Sequence, residues 1–86
     1  MKLTIDILGW IAGFMIIAAY WGISTHRFTS KSLLYQILNC IGSIFLVINT
    51  LYYGAFPSSF VNLIWGLIAI YALFKITFDK KNEPTN

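Results

Sequence analysis

Asn39, Asn49 and Asn62 are the residues with most chemistry to offer, because they lie in long apolar stretches that otherwise carry almost no charge. A buried amide has several hydrogen-bonding groups to satisfy at once. Each asparagine therefore either ties helices together, at on the order of 1 kcal/mol per pair, or lines a cavity that binds a polar solute. Trp65 follows Asn62 by one helical turn, on nearly the same face and well inside its stretch. An aromatic plate beside an amide suits the apolar face and hydroxyls of a sugar or another small ring, and filling a helix interface is its plainer use. Gln36 and Ser43 share the polar side of Asn39's stretch and complete the candidate substrate-binding set.

Other reactive residue types do not assemble into a centre. His26 stands alone in a polar connection, with no second His, Cys or carboxylate at ligand spacing, and reads as a solvated loop residue. Cys40 is the single cysteine, so no internal disulfide can form, and it reads as a small packing residue. The carboxylates Asp6, Asp79 and Glu83 sit toward the termini, which leaves neither a paired acid and base nor a metal site within the apolar stretches. Nor does spacing join Ser24 or His26 to an aspartate as a triad, and no glycine-rich phosphate loop is present. No enzyme activity, metal or cofactor is expected. Without an acid inside the membrane, any transport would be passive or facilitative.

The elements that position these residues follow from composition. The sequence has 86 residues, 58% of them hydrophobic and 10% charged, which fits a membrane protein of one domain and not a small soluble fold. Three stretches, 5–23, 33–53 and 60–78, are each long enough to cross a hydrocarbon core as a helix. Lys2 before an apolar run superficially fits a signal peptide, but Asp6 interrupts the basic region and the run is too long, so no cleavage is expected.

The middle stretch organises the rest. At roughly 100° per residue, Leu33, Leu34, Ile37, Leu38, Ile41, Ile44, Phe45, Ile48, Leu51 and Tyr52 fall on one side, and nearly all of the polar and small residues fall on the other. Amides facing lipid tails cost kilocalories, so the polar side is expected to face protein or a hydrated cavity. In the first stretch Gly9, Ala12, Gly13, Ile16, Ala19 and Tyr20 form a narrow stripe suited to close helix packing, with Gly9 and Gly13 as a GxxxG pair. The third stretch lines Ser58, Asn62, Trp65, Gly66, Ala69, Ala72 and Leu73 along one side; Gly42 and Gly66 complete the expected packing glycines. Ser30 or Ser32 is expected to cap the second helix, and Pro57 or a serine to open the third. Residues 79–86 read as a polar tail.

Three spans put Arg27, Lys31, Lys75, Lys80 and Lys81 on one side of the membrane and Lys2 alone on the other. The positive-inside rule then places the amino terminus outside and the carboxyl terminus in the cytoplasm. The basic clusters suit membrane lipid headgroups, and so few charges call for no nucleic acid.

Three spans, a short basic first loop, a tight second loop with Pro57 and an asparagine in the third helix resemble the bacterial SemiSWEET half-transporters of the PQ-loop superfamily, over roughly residues 7–76. The resemblance implies a parallel homodimer, six helices in all, with a site for a small polar solute such as a sugar near the midplane, and Asn62 as a solute-contacting residue. Tyr20-Trp21 stand where that superfamily has its Pro-Gln pair, so its hinge is not expected here, and Leu46 lies about where the group often carries tryptophan. The sequence is more similar to an uncharacterised family of small bacterial inner-membrane proteins, through Gly9-Trp10, Ala19-Tyr20, Tyr35-Gln36, Asn39, Gly42, Asn49, Gly54-Ala55, Pro57-Ser58, Asn62 and Trp65. Taken together, these features predict an all-α membrane protein completed by dimerisation, with Asn39, Asn62 and Trp65 on a shared cavity. The rival expectation is a scaffold that packs against a larger membrane complex and transports nothing.

Overall fold

Long apolar runs fold as helices, because in hydrocarbon each backbone N–H and C=O must be paired within its own segment, and they break where polar, glycine and proline residues cluster. The computed structural model describes residues 1–81, with side chains through Asp79. Within them the chain forms α1 (Lys2–Ser24), α2 (Leu33–Tyr52) and α3 (Phe56–Lys81). All three are long and apolar enough to cross a membrane. α1 begins three residues before the expected span and α3 four residues before it, because neither the amino-terminal residues nor Phe56-Pro57 breaks a helix. α3 also carries the first residues of the expected polar tail, while 82–86 lie outside the described residues.

Both connections are built from the same device. At the end of α2 the Ala55 N–H donates to the Thr50 carbonyl (2.8 Å) and the Gly54 N–H to that of Leu51 (3.1 Å), with Gly54 at φ +73. This is the pattern of a Schellman motif, whose left-handed residue is normally glycine because it has no Cβ to clash. At the end of α1 the Arg27 N–H reaches the Gly22 carbonyl (2.9 Å) and that of His26 reaches Ile23 (3.3 Å), but here the left-handed position is His26, at φ 64. The guanidinium of Arg27 lies 5.2 Å from the centre of the Trp21 ring, and the Phe28 ring folds over Gly22, where no side chain would fit.

Ser32 occupies the N-cap of α2 as expected, yet its side chain does not cap the helix: its Oγ accepts the Thr29 N–H at 2.9 Å and braces the loop instead. Pro57 sits in the first turn of α3, where a missing N–H breaks no helical bond.

α2 is the middle helix. It packs on α1 along one flank and on α3 along the other, and among the described residues α1 and α3 do not meet. Gln36, Asn39, Gly42 and Ser43 are its buried residues. Leu33, Leu34, Ile41, Ile44, Ile48 and Leu51 are exposed on the opposite side. The polar face of α2 thus turns toward protein, as the cost of amides in hydrocarbon requires.

Small residues set the spacing of both seams. Ile5, Ala12, Ala19 and Gly22 are buried on α1, and Gly42 brings the α2 backbone against Ile16 and the Ala12 carbonyl. Gly66 of α3 sits 3.2 Å, measured from an added Cβ, from the Cβ of Ser43. Two members of the expected α1 stripe depart from it. Gly13 has open space beside it, and Tyr20 is 72% exposed, because each lies about 100° around the helix from its buried neighbours Ala12 and Ala19.

Candidate functional site

The polar residues of the three helices distribute over four places, and Asn39 anchors the one whose side-chain hydrogen bond joins α2 to α3. It is 4% exposed, its Nδ2 donates to the Tyr35 carbonyl one turn back (3.0 Å), and its Oδ1 accepts the indole N–H of Trp65 at 3.3 Å. The first bond stays within α2 and the second joins α2 to α3. Trp65 is itself half exposed, so its ring lids the amide from the outer surface of the helix pair.

One turn further along α2, Ser43 is 1% exposed, and its hydroxyl is buried with no hydrogen-bond partner among the described residues. Packing against Gly66 explains its size but not its hydroxyl. Gln36 lies at the other end of the same row, with its Nε2 donating to the Ser30 carbonyl at 2.8 Å and thereby fastening the first loop onto α2. It borders a cleft of about 300 Å³ that also includes Lys31, Tyr71, Lys75 and Asp79.

Asn62 does not join Asn39. It is half-buried, makes no side-chain hydrogen bond among the described residues, and lines a separate cleft with Pro57, Ser58 and Val61. The separation follows from antiparallel packing: Asn39 lies 13 residues from the end of α2 and Asn62 only six from the start of α3. At about 1.5 Å per residue their depths differ by roughly 10 Å. Trp65, one turn deeper and with a longer side chain, spans the gap that Asn62 cannot.

The third asparagine is used differently again. Asn49 Nδ2 donates to the Ile5 carbonyl of α1 at 3.0 Å, and it lies directly over Gly9, where an added Cβ would approach Nδ2 to 2.6 Å. Beside it, the Tyr53 hydroxyl donates to the Asp6 carboxylate. That bond, with burial and the aspartate's charge adding smaller contributions, pushes the Tyr53 hydroxyl up to about 12. Asp6, Gly9, Trp10, Leu46, Asn49 and Tyr53 together line a cleft of about 310 Å³.

Sequence reasoning singled out Asn49 and Gly9 but missed that Asp6 and Tyr53 join them. Asp6 reads as terminal in the linear chain, but α1 begins at Lys2 and carries it in its second turn, level with the end of α2. The signal was present in the lengths: two antiparallel helices of 23 and 20 residues, joined by a short loop, bring the start of one beside the end of the other.

No curated protein and no solved structure matches this sequence significantly. A family model does match, over residues 5–81, from the second turn of α1 through the whole of α3, and it spans every polar position described above. This chain therefore belongs to that family, an uncharacterised one.

Proposed function

We propose that this protein is half of a membrane bundle: two copies pair side by side in parallel and pass a small polar solute, such as a sugar, passively between their apposed faces. It acts in the bacterial inner membrane, with the amino terminus outside and the carboxyl terminus in the cytoplasm, on the strength of its lysine and arginine distribution. The observation that carries this reading is Asn62. It lies six residues inside a membrane-length helix, borders a cleft, and has no hydrogen-bond partner among the described residues. An amide with no partner in hydrocarbon is costly, so a solute, water or a second copy is needed there. That α1 and α3 do not meet among the described residues fits an assembly that a further copy completes. Asn62 and Trp65 are the residues assigned to solute contact, with Asn39 holding the Trp65 ring. No catalytic step is assigned.

A second reading, a non-transporting scaffold for a larger membrane complex, is favoured by a different observation: Asn39 and Asn49 already spend hydrogen bonds inside the chain. Proteoliposome swelling separates the two. Under the transport reading, vesicles carrying the protein admit glycerol, ribose or glucose faster than empty ones; Asn62→Ala removes the difference, while a cysteine at Val61, in a Cys40→Ser background, still cross-links two copies. No swelling above empty vesicles across that set, together with weakened assembly in Asn62→Ala, favours the scaffold.

A further inference from the structure

The cleft at the start of α1 has a chemistry unlike the rest of the molecule. Asp6 supplies a carboxylate, one oxygen of which accepts the Tyr53 hydroxyl while the other is not engaged by any hydrogen bond or ion pair among the described residues. Asn49 has committed its Nδ2 to the Ile5 carbonyl, which fixes the amide and leaves its Oδ1 without a donor. Trp10 stands one turn beyond Asp6 on the same side of α1 and also lines the cleft. Every group presented is therefore electron-rich: a carboxylate, an amide oxygen and an aromatic ring. No lysine or arginine lines the cleft to neutralise Asp6.

Geometry holds this set in place. Gly9 allows Asn49 to lie against α1, and the Tyr53 hydroxyl pins the carboxylate rotamer. The volume, about 310 Å³, is at the small end for ligand pockets, which run from roughly 300 to 1,000 Å³. A compact ligand with a positive end fits such a site, since a carboxylate and an indole face both attract an ammonium group.

We propose that the cleft of Asp6, Trp10, Asn49 and Tyr53 is a binding site for an ammonium group. The group is carried either by a free small amine or by the headgroup of an ethanolamine phospholipid. The site is separate from the Asn62 cleft and stands whether or not the protein transports a solute there.

The test uses the full chain in a non-ionic detergent, with choline chloride as probe and 3,3-dimethyl-1-butanol as its uncharged isostere, followed by calorimetry or by ligand-observed NMR. A second arm uses nanodiscs made from equal parts phosphatidylethanolamine and phosphatidylglycerol, and measures which lipid stays with the protein on extraction. Choline binding that the isostere lacks, or retention of the ethanolamine lipid, supports the site, and which of the two is seen identifies the source. Asp6→Asn keeps an oxygen for the Tyr53 hydroxyl, and it is expected to weaken binding about tenfold or more. Trp10→Leu should weaken it about threefold to tenfold, and Tyr53→Phe, which releases the carboxylate rotamer but keeps its charge, should weaken it less than Asp6→Asn does. Equal binding of choline and its isostere, an unchanged affinity in Asp6→Asn, or neither choline binding nor lipid enrichment would overturn the proposal. Helical circular dichroism of each variant shows that the protein has folded.

Discussion

The Asn49 amide donates to the Ile5 carbonyl across 44 residues of sequence, and it can do so because Gly9 offers no Cβ in its path. A helix carbonyl in the second turn already accepts an intrahelical bond, so the amide takes its second lone pair. That contact ties α1 to α2 at the end where Asp6 and Tyr53 also meet.

Gly9→Ala is accordingly expected to destabilise the protein by about 1–3 kcal/mol, the range for forcing a methyl into a packed seam. The effect should shrink when Asn49 is first replaced by alanine. Gly13→Ala, by contrast, meets open space and replaces a poor helix former, so it should be neutral or slightly stabilising. Thermal unfolding in detergent, run as a double-mutant cycle on Gly9 and Asn49, checks both expectations; equal costs at Gly9 and Gly13 would contradict the assigned seam.

Trp65→Phe keeps the ring but removes the donor that Asn39 Oδ1 accepts from. A cost of about 0.5–1.5 kcal/mol is expected, typical of interhelical hydrogen bonds in membranes. Ser43→Ala should go the other way. Its hydroxyl is buried without a partner, so removing it should be neutral or stabilising by up to about 1 kcal/mol. A clear loss of stability on Ser43→Ala would mean that a water or a second copy bonds that hydroxyl.

His26→Gly should stabilise the first connection by about 1 kcal/mol, because histidine there occupies a left-handed backbone position that glycine adopts freely. Gly54→Ala, at φ +73 in the matching motif, should cost about the same amount. Unfolding midpoints of the two variants, measured side by side, are expected to move in opposite directions.

Tyr53 offers a pH signature. Its hydroxyl is pushed up to about 12 from 10.0, first by the hydrogen bond to Asp6, so the folded state favours the protonated phenol. The tie between α1 and α2 that this bond makes is fully present below pH 10 and is lost as pH rises from 10 to about 12. Tyrosinate absorbance of the wild type minus that of Tyr53→Phe should show one phenol titrating late, and Asp6→Asn should bring it back toward pH 10. A midpoint near 10 in the wild type would show that the bond does not form in solution.

Much of the fold was written in the linear chain. Three apolar runs of membrane length required three helices, the alternation of faces along residues 33–53 required the polar side of α2 to be turned from lipid, and the polar-glycine clusters marked where the chain reverses. Those conclusions rest on local periodicity and on the price of polar groups in hydrocarbon, both of which act residue by residue. Which polar groups meet was decided only in three dimensions. The sequence puts Asn62 and Trp65 on one face and sets both on a cavity shared with Asn39. Antiparallel packing then offers Asn39 to the longer side chain and leaves Asn62 in a cleft of its own. In the same way, Asp6 and Tyr53 are 47 residues apart and carry no shared pattern; they meet because the end of α2 returns beside the start of α1. Relative depth and rotation between helices are sums over a whole seam of small contacts, at Gly9, Gly42 and Gly66 above all, and no single position encodes them.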